Sequence, residues 1–343
     1  MSELDKANVV QEERVEKAPR KRGCVGHCLK FWWAYLLAIV VIVVIVVPVV
    51  LLVAVPKIAQ SKLDEAELTL DGLVVSNTKT DNMTIALNTT IRTDGSVHAT
   101  IEAFLGDMYL EDKEPHVPFA TLQFPETTAD AFQTVNISQF LPIESLPALT
   151  DFNTWLLANE SFRVTVKGDT YVRVKGIARR YPVTFKKTVT LAGLQTFKGT
   201  YVTDTKIALP STGPVFTGIA HIPNRSVVTF ELGNATFYNY LLGQDVGEVY
   251  LDNVILRPGN DNHFFLNSTI QQNPVISALQ EKPYCDTTKG VIPFQLRGKT
   301  VFNHGQSLPY FADALGATNQ TIDLDVGGTL FNSTGLKFNC SST

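Results

Sequence analysis

The sequence predicts a mainly β protein: a single N-terminal transmembrane helix followed by two tandem antiparallel β-sandwich domains, each with a short helix. Three observations lead there. Phe31–Val55 is a run of 25 residues without a charge, reading FWWAYLLAIVVIVVIVVPVVLLVAV. Beyond residue 60, β-branched and aromatic residues alternate with polar ones, the period-2 pattern of half-buried strands. Segments in the second half also echo the first at offsets of 121–130 residues. The expected organisation is a disordered cytosolic tail at 1–30, a signal-anchor helix at 31–55, and luminal β-domains at 57–188 and 189–343.

Composition bounds the function. The 343 residues carry 29 Lys plus Arg and 33 Asp plus Glu, a net charge of −4, with 18% charged and 45% hydrophobic. Globular chains average about 25% charged. These figures exclude a disordered polyelectrolyte and a basic nucleic-acid binder. Split by compartment, the tail is +2 and the residues after the span are −6.

Taken in order, the tail is polar and poor in apolar anchors, which predicts disorder. Cys24 and Cys28 lie just before the span, within RKRGCVGHCLKFWW. Their membrane-proximal position suits S-palmitoylation. Two unmodified thiols are the alternative; a metal site with His27 would need a fourth ligand that this tail lacks. The span exceeds the roughly 20 apolar residues that a bilayer core needs, and it is too long for a cleaved signal peptide. Pro48 is tolerable there as a kink, and Phe31, Trp32, Trp33 and Tyr35 form an interfacial aromatic belt. Arg20, Lys21, Arg22 and Lys30 precede the span, whereas Lys57 and Lys62 follow it, so the positive-inside rule puts the N-terminus in the cytosol.

Sequons agree with that topology. Asn-x-Ser/Thr occurs at Asn82, Asn88, Asn136, Asn159, Asn224, Asn234, Asn267, Asn319, Asn332 and Asn339, all after the span. Such an excess points to a glycosylated luminal or extracellular region. Compartment also leaves one luminal cysteine pair, Cys285 with Cys340, as the expected disulfide.

Strand patterns are read at Met83–Ile91, His98–Phe104, Phe162–Lys167, Tyr171–Lys175, Ser226–Leu232 and Glu248–Leu256. Turn signals stand at Asp94-Gly95, Gly168-Asp169 and Pro258-Gly259-Asn260. Helices are expected at Leu146–Asn159, with Thr150 or Asp151 as N-cap, and near Pro274–Gln280. The repeat pairs Leu68–Leu73 with Val189–Leu194, Ile85–Leu87 with Ile207–Leu209, Phe162–Gly168 with Ile292–Gly298, and Tyr181-Pro182 with Leu308-Pro309.

Catalytic signatures are absent from the sequence: it has no GxSxG, HExxH, GxGxxG or P-loop. His98, His116, His221, His263 and His304 share no ligand spacing, and the Asp323/Asp325 pair sits inside a strand-like alternation. The expectation is a non-enzyme without metal or cofactor. One basic stretch stands out, with Arg163, Lys167, Arg173, Lys175, Arg179, Arg180, Lys186 and Lys187 within 25 residues. The first six are candidates for contact with an anionic surface. Several alternate with valines, as a solvated sheet face would show, and that reading is preferred.

A resemblance adds to this. His221-Ile-Pro-Asn224-Arg-Ser226, the strand after it, Gly247–Leu251 and Pro258-Gly259 resemble the LEA-2 (late embryogenesis abundant type 2) β-sandwich, with Ile222 where the family's first Asn stands. The whole chain also resembles a fungal family of single-pass membrane proteins of unknown function, DUF3712-like. The segments that carry this are the Cys-containing FWW approach to the span, Pro56–Ala59, Asp94–Thr100, Phe124–Thr127, Phe152–Leu157 and Lys282–Cys285. The resemblance implies a vacuolar or other endomembrane location, with the plasma membrane as second choice. It also implies links to autophagy and lipid binding, and supplies no catalytic residues. The expected function is therefore a non-enzymatic vacuolar membrane protein whose luminal sandwiches bind lipid or membrane surface. The alternative is a glycosylated scaffold for a luminal protein partner.

Overall fold

The structure, a computed structural model, describes residues 32–208 and 215–340. Cys24, Cys28 and the polar tail lie outside the described residues. The chain divides into two compact units, Met1–Val55 and Pro56–Thr343.

In the first unit, helix α1 (Trp32–Val49) passes into a π-helical turn at Val50–Ala54. No side chain of α1 is buried, and its apolar residues face outward all round. Such a helix is stable where lipid replaces water. Pro48 is accommodated inside α1, directly before the wider turn. A ring that removes one N–H and crowds the preceding carbonyl is relieved by such local re-pairing. The apolar helix is consistent with membrane insertion.

The first half of the second unit carries α2 (Val55–Glu65), β1 (Glu67–Ser76), β2 (Asn82–Arg92), β3 (Ala99–Ile101), β4 (Phe104–Leu110), β5 (Ala120–Phe124), β6 (Thr127–Thr128), β7 (Phe132–Pro142), α3 (Leu146–Ala158), β8 (Ser161–Val174) and β9 (Arg180–Ala192). The second half, after a 3-10 turn at Gln195–Phe197, carries β10 (Tyr201–Ala208), β11 (Val215–His221), β12 (Val228–Leu241), β13 (Gln244–Leu256), β14 (His263–Ile270), α4 (Gln272–Gln280), β15 (Val291–Asn303), β16 (Gln306–Ser307), α5 (Pro309–Gly316), β17 (Gln320–Asp325) and α6 (Val326–Thr334). The protein is mainly β, as expected.

The halves share a strand order. In the second it is β10-β11-β14-β13-β12-β15-β17, hydrogen-bonded throughout. In the first it is β1-β2-β7 and β5-β4-β8-β9; β7 meets β5 through Gln139, whose Oε1 accepts from Gln123 N–H at 3.2 Å. Helices α3 and α4 precede the equivalent strands β8 and β15. The match of Phe162–Gly168 with Ile292–Gly298 therefore falls on corresponding strands. Leu68–Leu73 lies in β1, however, while Val189–Leu194 ends β9, and Tyr181-Pro182 in β9 faces Leu308-Pro309 at the start of α5. Alternating apolar residues recur in most of the long strands, so short echoes do not fix a structural register.

The halves are also fused. β1 pairs in parallel with β12, Leu73 opposite Val228 and Val75 opposite Phe230. One apolar core runs across the join, taking in Leu73, Leu156, Val228 and Leu315. A wholly antiparallel arrangement is thus corrected at one strand pair. Residues 57–65, expected to begin the β-domain, are helical instead. Gln60 exchanges two bonds with Thr184 on the free edge of β9, its Nε2 donating to Thr184 O at 2.9 Å and its Oε1 accepting from Thr184 N–H at 3.0 Å. This covers an edge that would otherwise offer unpaired backbone groups.

Three local readings are revised. Ser145, not Thr150 or Asp151, caps α3, accepting from Ala148 N–H at 3.3 Å, with Pro147 in the first turn. His98–Phe104 is split into β3 and the start of β4. Gly168-Asp169 is not a turn but the middle of β8, where that strand hands its partner over from β4 to β3. A Cβ on Gly168 would lie 2.2 Å from Leu105 O, so close backbone approach explains the glycine.

Candidate functional site

The expected disulfide forms. Cys285 is bonded to Cys340 with their Cα atoms 5.2 Å apart, tying the segment after α6 to the turn region before β15. Asp325 ends β17 and caps α6, accepting from Gly328 N–H at 2.7 Å, which gives the second Asp of the pair a structural task. Among the described residues, no three His, Cys, Asp or Glu side chains converge as a metal site.

The sequons separate by burial. Asn88, Asn136, Asn234, Asn267, Asn319, Asn332 and Asn339 are exposed, and Asn82 and Asn159 are half-buried. Asn88 and Asn136 are direct cross-strand partners. Asn224 is different, at 1% exposure. Its Oδ1 accepts from Ser226 N–H at 2.9 Å, and its Nδ2 donates to Val228 O at 2.8 Å and Leu256 O at 3.4 Å. Its backbone bridges Gly259 in both directions. The amide nitrogen that a glycan would need is consumed inside this fold, so Asn224 is removed from the glycosylation candidates.

The basic stretch lies on and beside β8 and β9, and acids from the segments flanking β4 meet four of its eight bases. Arg163 pairs with Asp112 at 2.5 Å, Arg173 with Glu102 at 2.6 Å, and Arg180 with Glu102 at 3.3 Å. The Arg173 guanidinium holds the Glu102 carboxyl below its ordinary range, and Arg163 does the same for Asp112. Glu111, accepting from Thr165 and facing Lys186, is also lowered. Lys187 points inward, and its Nζ donates to Asp64 O at 2.9 Å and Ala66 O at 2.5 Å at the end of α2. A cation there suits the carbonyl end of a helix, although burial lowers its pKa. Lys167, Lys175 and Arg179 have no acidic partner among the described residues. The face is therefore mixed in charge rather than cationic.

Strands β5, β4, β8 and β9 carry no sequon. Their outer face exposes Leu105 and Tyr171, the latter under the Arg180 guanidinium at 4.9 Å. An apolar and aromatic centre with mostly paired charges around it is the make-up of a protein-contact patch.

The interior offers little room. Two adjoining apolar cavities, of about 40 and 20 Å³, lie in the second half and share Leu266, Leu296 and Ile322. Such volumes hold about one to three water molecules. Asn239, 3% exposed, lines the smaller, and its Oδ1 finds no hydrogen-bond donor among the described residues. A larger concavity of about 390 Å³ opens on the opposite side of β12, at Tyr238 and Tyr240, beside β15 and α5. Its residues are scattered over three elements. In sequence only the Tyr-x-Tyr alternation at Tyr238 and Tyr240 hinted at it.

A family described as Protein of unknown function (DUF3712) matches residues 117–239, from the loop before β5 to within β12. The match therefore crosses the join between the halves. No curated protein matches the chain. Among solved structures, a protein from Archaeoglobus fulgidus is similar at 9% identity and TM-score 0.22, over 37% of this chain and 94% of its own. The putative ApaA protein from Bordetella pertussis is similar at 12% identity and TM-score 0.21, again over 37% and 94%. The Amycolatopsis orientalis exo-chitosanase CsxA shows 9% identity and TM-score 0.21, over 74% of this chain and 26% of its own. Likenesses this low carry no argument about function.

Proposed function

We propose that the chain is a non-enzymatic, single-pass glycoprotein of the vacuolar or endomembrane system whose extracytosolic β-region is an interaction scaffold. The observation that supports this best is the sequon-free outer face of β5-β4-β8-β9, with exposed Leu105 and Tyr171 among paired charges. Glycans elsewhere would shield the remaining surface and leave this face for a protein partner. The test is to place a glycan on it by Lys167→Asn with Asp169→Thr, then repeat proximity labelling in cells. Loss of the labelled partner set, with unchanged localisation and expression, is the expected result. A partner set identical to wild type overturns the reading.

Lipid binding is the second reading, favoured by the apolar cavities and the unmatched Asn239 amide. At about 40 and 20 Å³ they hold no acyl chain unless the layers part, which is why it ranks second. Mass spectrometry of organic extracts from the purified chain decides it, since a bound lipid would co-purify in stoichiometric amount. Tail palmitoylation at Cys24 and Cys28 and the vacuolar location belong to the same proposal. Fluorescence localisation combined with glycosidase-shift analysis tests compartment and topology together.

A further inference from the structure

Alternation along β12 buries Phe237, Asn239 and Leu241 and turns Tyr238 and Tyr240 to the opposite side. Their ring centroids are 6.3 Å apart, at 44° to one another, and neither hydroxyl has a hydrogen-bond partner among the described residues. Opposite Tyr238 on β15 stands Arg297, whose Nε donates to Gly316 O at 2.6 Å, fixing the guanidinium at the end of α5. Lys299 lies 5.1 Å over the Tyr238 ring and is ion-paired with Glu248, which also accepts from Tyr250 OH at 2.8 Å. Asp313 on α5 completes the rim, exposed and without a cation partner among the described residues. Gly298 lets α5 sit against β15, because a Cβ there would lie 2.5 Å from Leu315 Cβ. The result is a shallow concavity of about 390 Å³ that stays open to solvent along one side.

Its chemistry narrows the occupant. Two cations and two carboxylates cancel, so neither a phosphate nor a metal cation is selected. Free phenols, a forked guanidinium and a carboxylate together offer both donors and acceptors. The Tyr240 ring, beside the Tyr238 ring that Lys299 covers, asks for a ligand with an apolar side. A neutral sugar, with C–H groups on one face and hydroxyls around its edge, meets all three demands. We propose that this concavity is a binding site for a neutral oligosaccharide. Such a glycan has two sources, one carried by this chain, for example at exposed Asn319 just beyond α5, and one carried by another molecule.

The test uses the full chain in a sugar-free detergent, both untreated and enzymatically deglycosylated, titrated by saturation-transfer NMR. The probes are oligomannose, N-acetylglucosamine oligomers and a sulfated oligosaccharide. Saturable binding of a neutral probe is expected, with a Kd on the order of 1 mM, weakened about tenfold by Tyr240→Ala and by Asp313→Ala. Tyr240→Phe, which keeps the ring and loses the hydroxyl, should weaken binding less than Tyr240→Ala, and exposed Asp313 guards against a variant that merely misfolds. Binding by the deglycosylated chain alone would identify the chain's own glycan as occupant, and equal binding by both forms would point to a glycan from elsewhere; either outcome supports the site. Absence of saturable binding in both forms, preference for the sulfated probe, or indifference to both alanine variants overturns it.

Discussion

Asn224 concentrates several features of the chain in one side chain. It stands between β11 and β12, it satisfies a sequon, and it is buried with every polar atom used. The sequon is a coincidence of spacing, since Ser226 sits two residues on because its N–H and hydroxyl complete the same turn. Asn224→Ala would strand the Val228 carbonyl and the Ser226 N–H inside the protein. Buried unmatched groups of this kind cost about 1–3 kcal/mol each. The expected loss in denaturant unfolding is about 2–3 kcal/mol, with an unchanged m-value. Glycopeptide mapping of the folded protein should find Asn224 bare while exposed sequons such as Asn267 remain eligible. A variant with wild-type stability, or a glycan on Asn224, would contradict this assignment.

Strand β8 shows what can be read locally and what cannot. Its two ends were legible as alternating segments, but the Gly168-Asp169 pair reads as a turn when only neighbours in sequence are considered. The glycine answers instead to Leu105 O, some sixty residues upstream, a contact no local pattern contains. The same holds for the acids that pair with the basic stretch, which arrive from the segment between β3 and β4 and from the residues directly after β4. Helix α3, by contrast, is legible from its apolar spacing alone, although its start is set by Ser145 and Pro147 rather than by Thr150 or Asp151. The ion pairs on β8 carry a pH expectation. Glu102, Asp112 and Glu111 are held below their unfolded values, so their contribution is complete above the unfolded carboxylate range and is lost as pH falls through the folded values. Unfolded carboxylates titrate near about 4. Stability should accordingly be flat in this respect from neutral pH to about 5 and decline below about 4. Because the pairs are exposed, the decline is modest. Thermal unfolding as a function of pH should show a shallower acid limb in Glu102→Gln than in wild type, and identical limbs would remove the pairs from the account.

At the scale of the whole molecule, two topologically matched halves behave as one body if the join is strong enough, and its construction can be weighed. Parallel pairing of β1 with β12 places Leu73, Val75, Val228 and Phe230 in a shared core. Around it, Thr78 Oγ1 donates to Glu231 O at 2.8 Å, Asn303 Nδ2 donates to Thr78 Oγ1 at 2.8 Å, and Tyr310 OH donates to Lys79 O at 2.9 Å. Helix α3 of the first half and α5 of the second contribute Leu156 and Leu315 to the same core. Separating the halves would expose all of these apolar groups at once, at about 25 cal/mol per Å², and leave Thr78 and Tyr310 unpaired. An interface with a continuous apolar core couples the unfolding of its two sides, whereas a polar linker would not. Residues 56–343 should therefore unfold in a single transition, with calorimetric and van't Hoff enthalpies in agreement. Thr78→Val together with Tyr310→Phe should lower the midpoint without splitting the peak. Two resolved transitions in the wild-type chain, one for each half, would show that the halves are energetically separate.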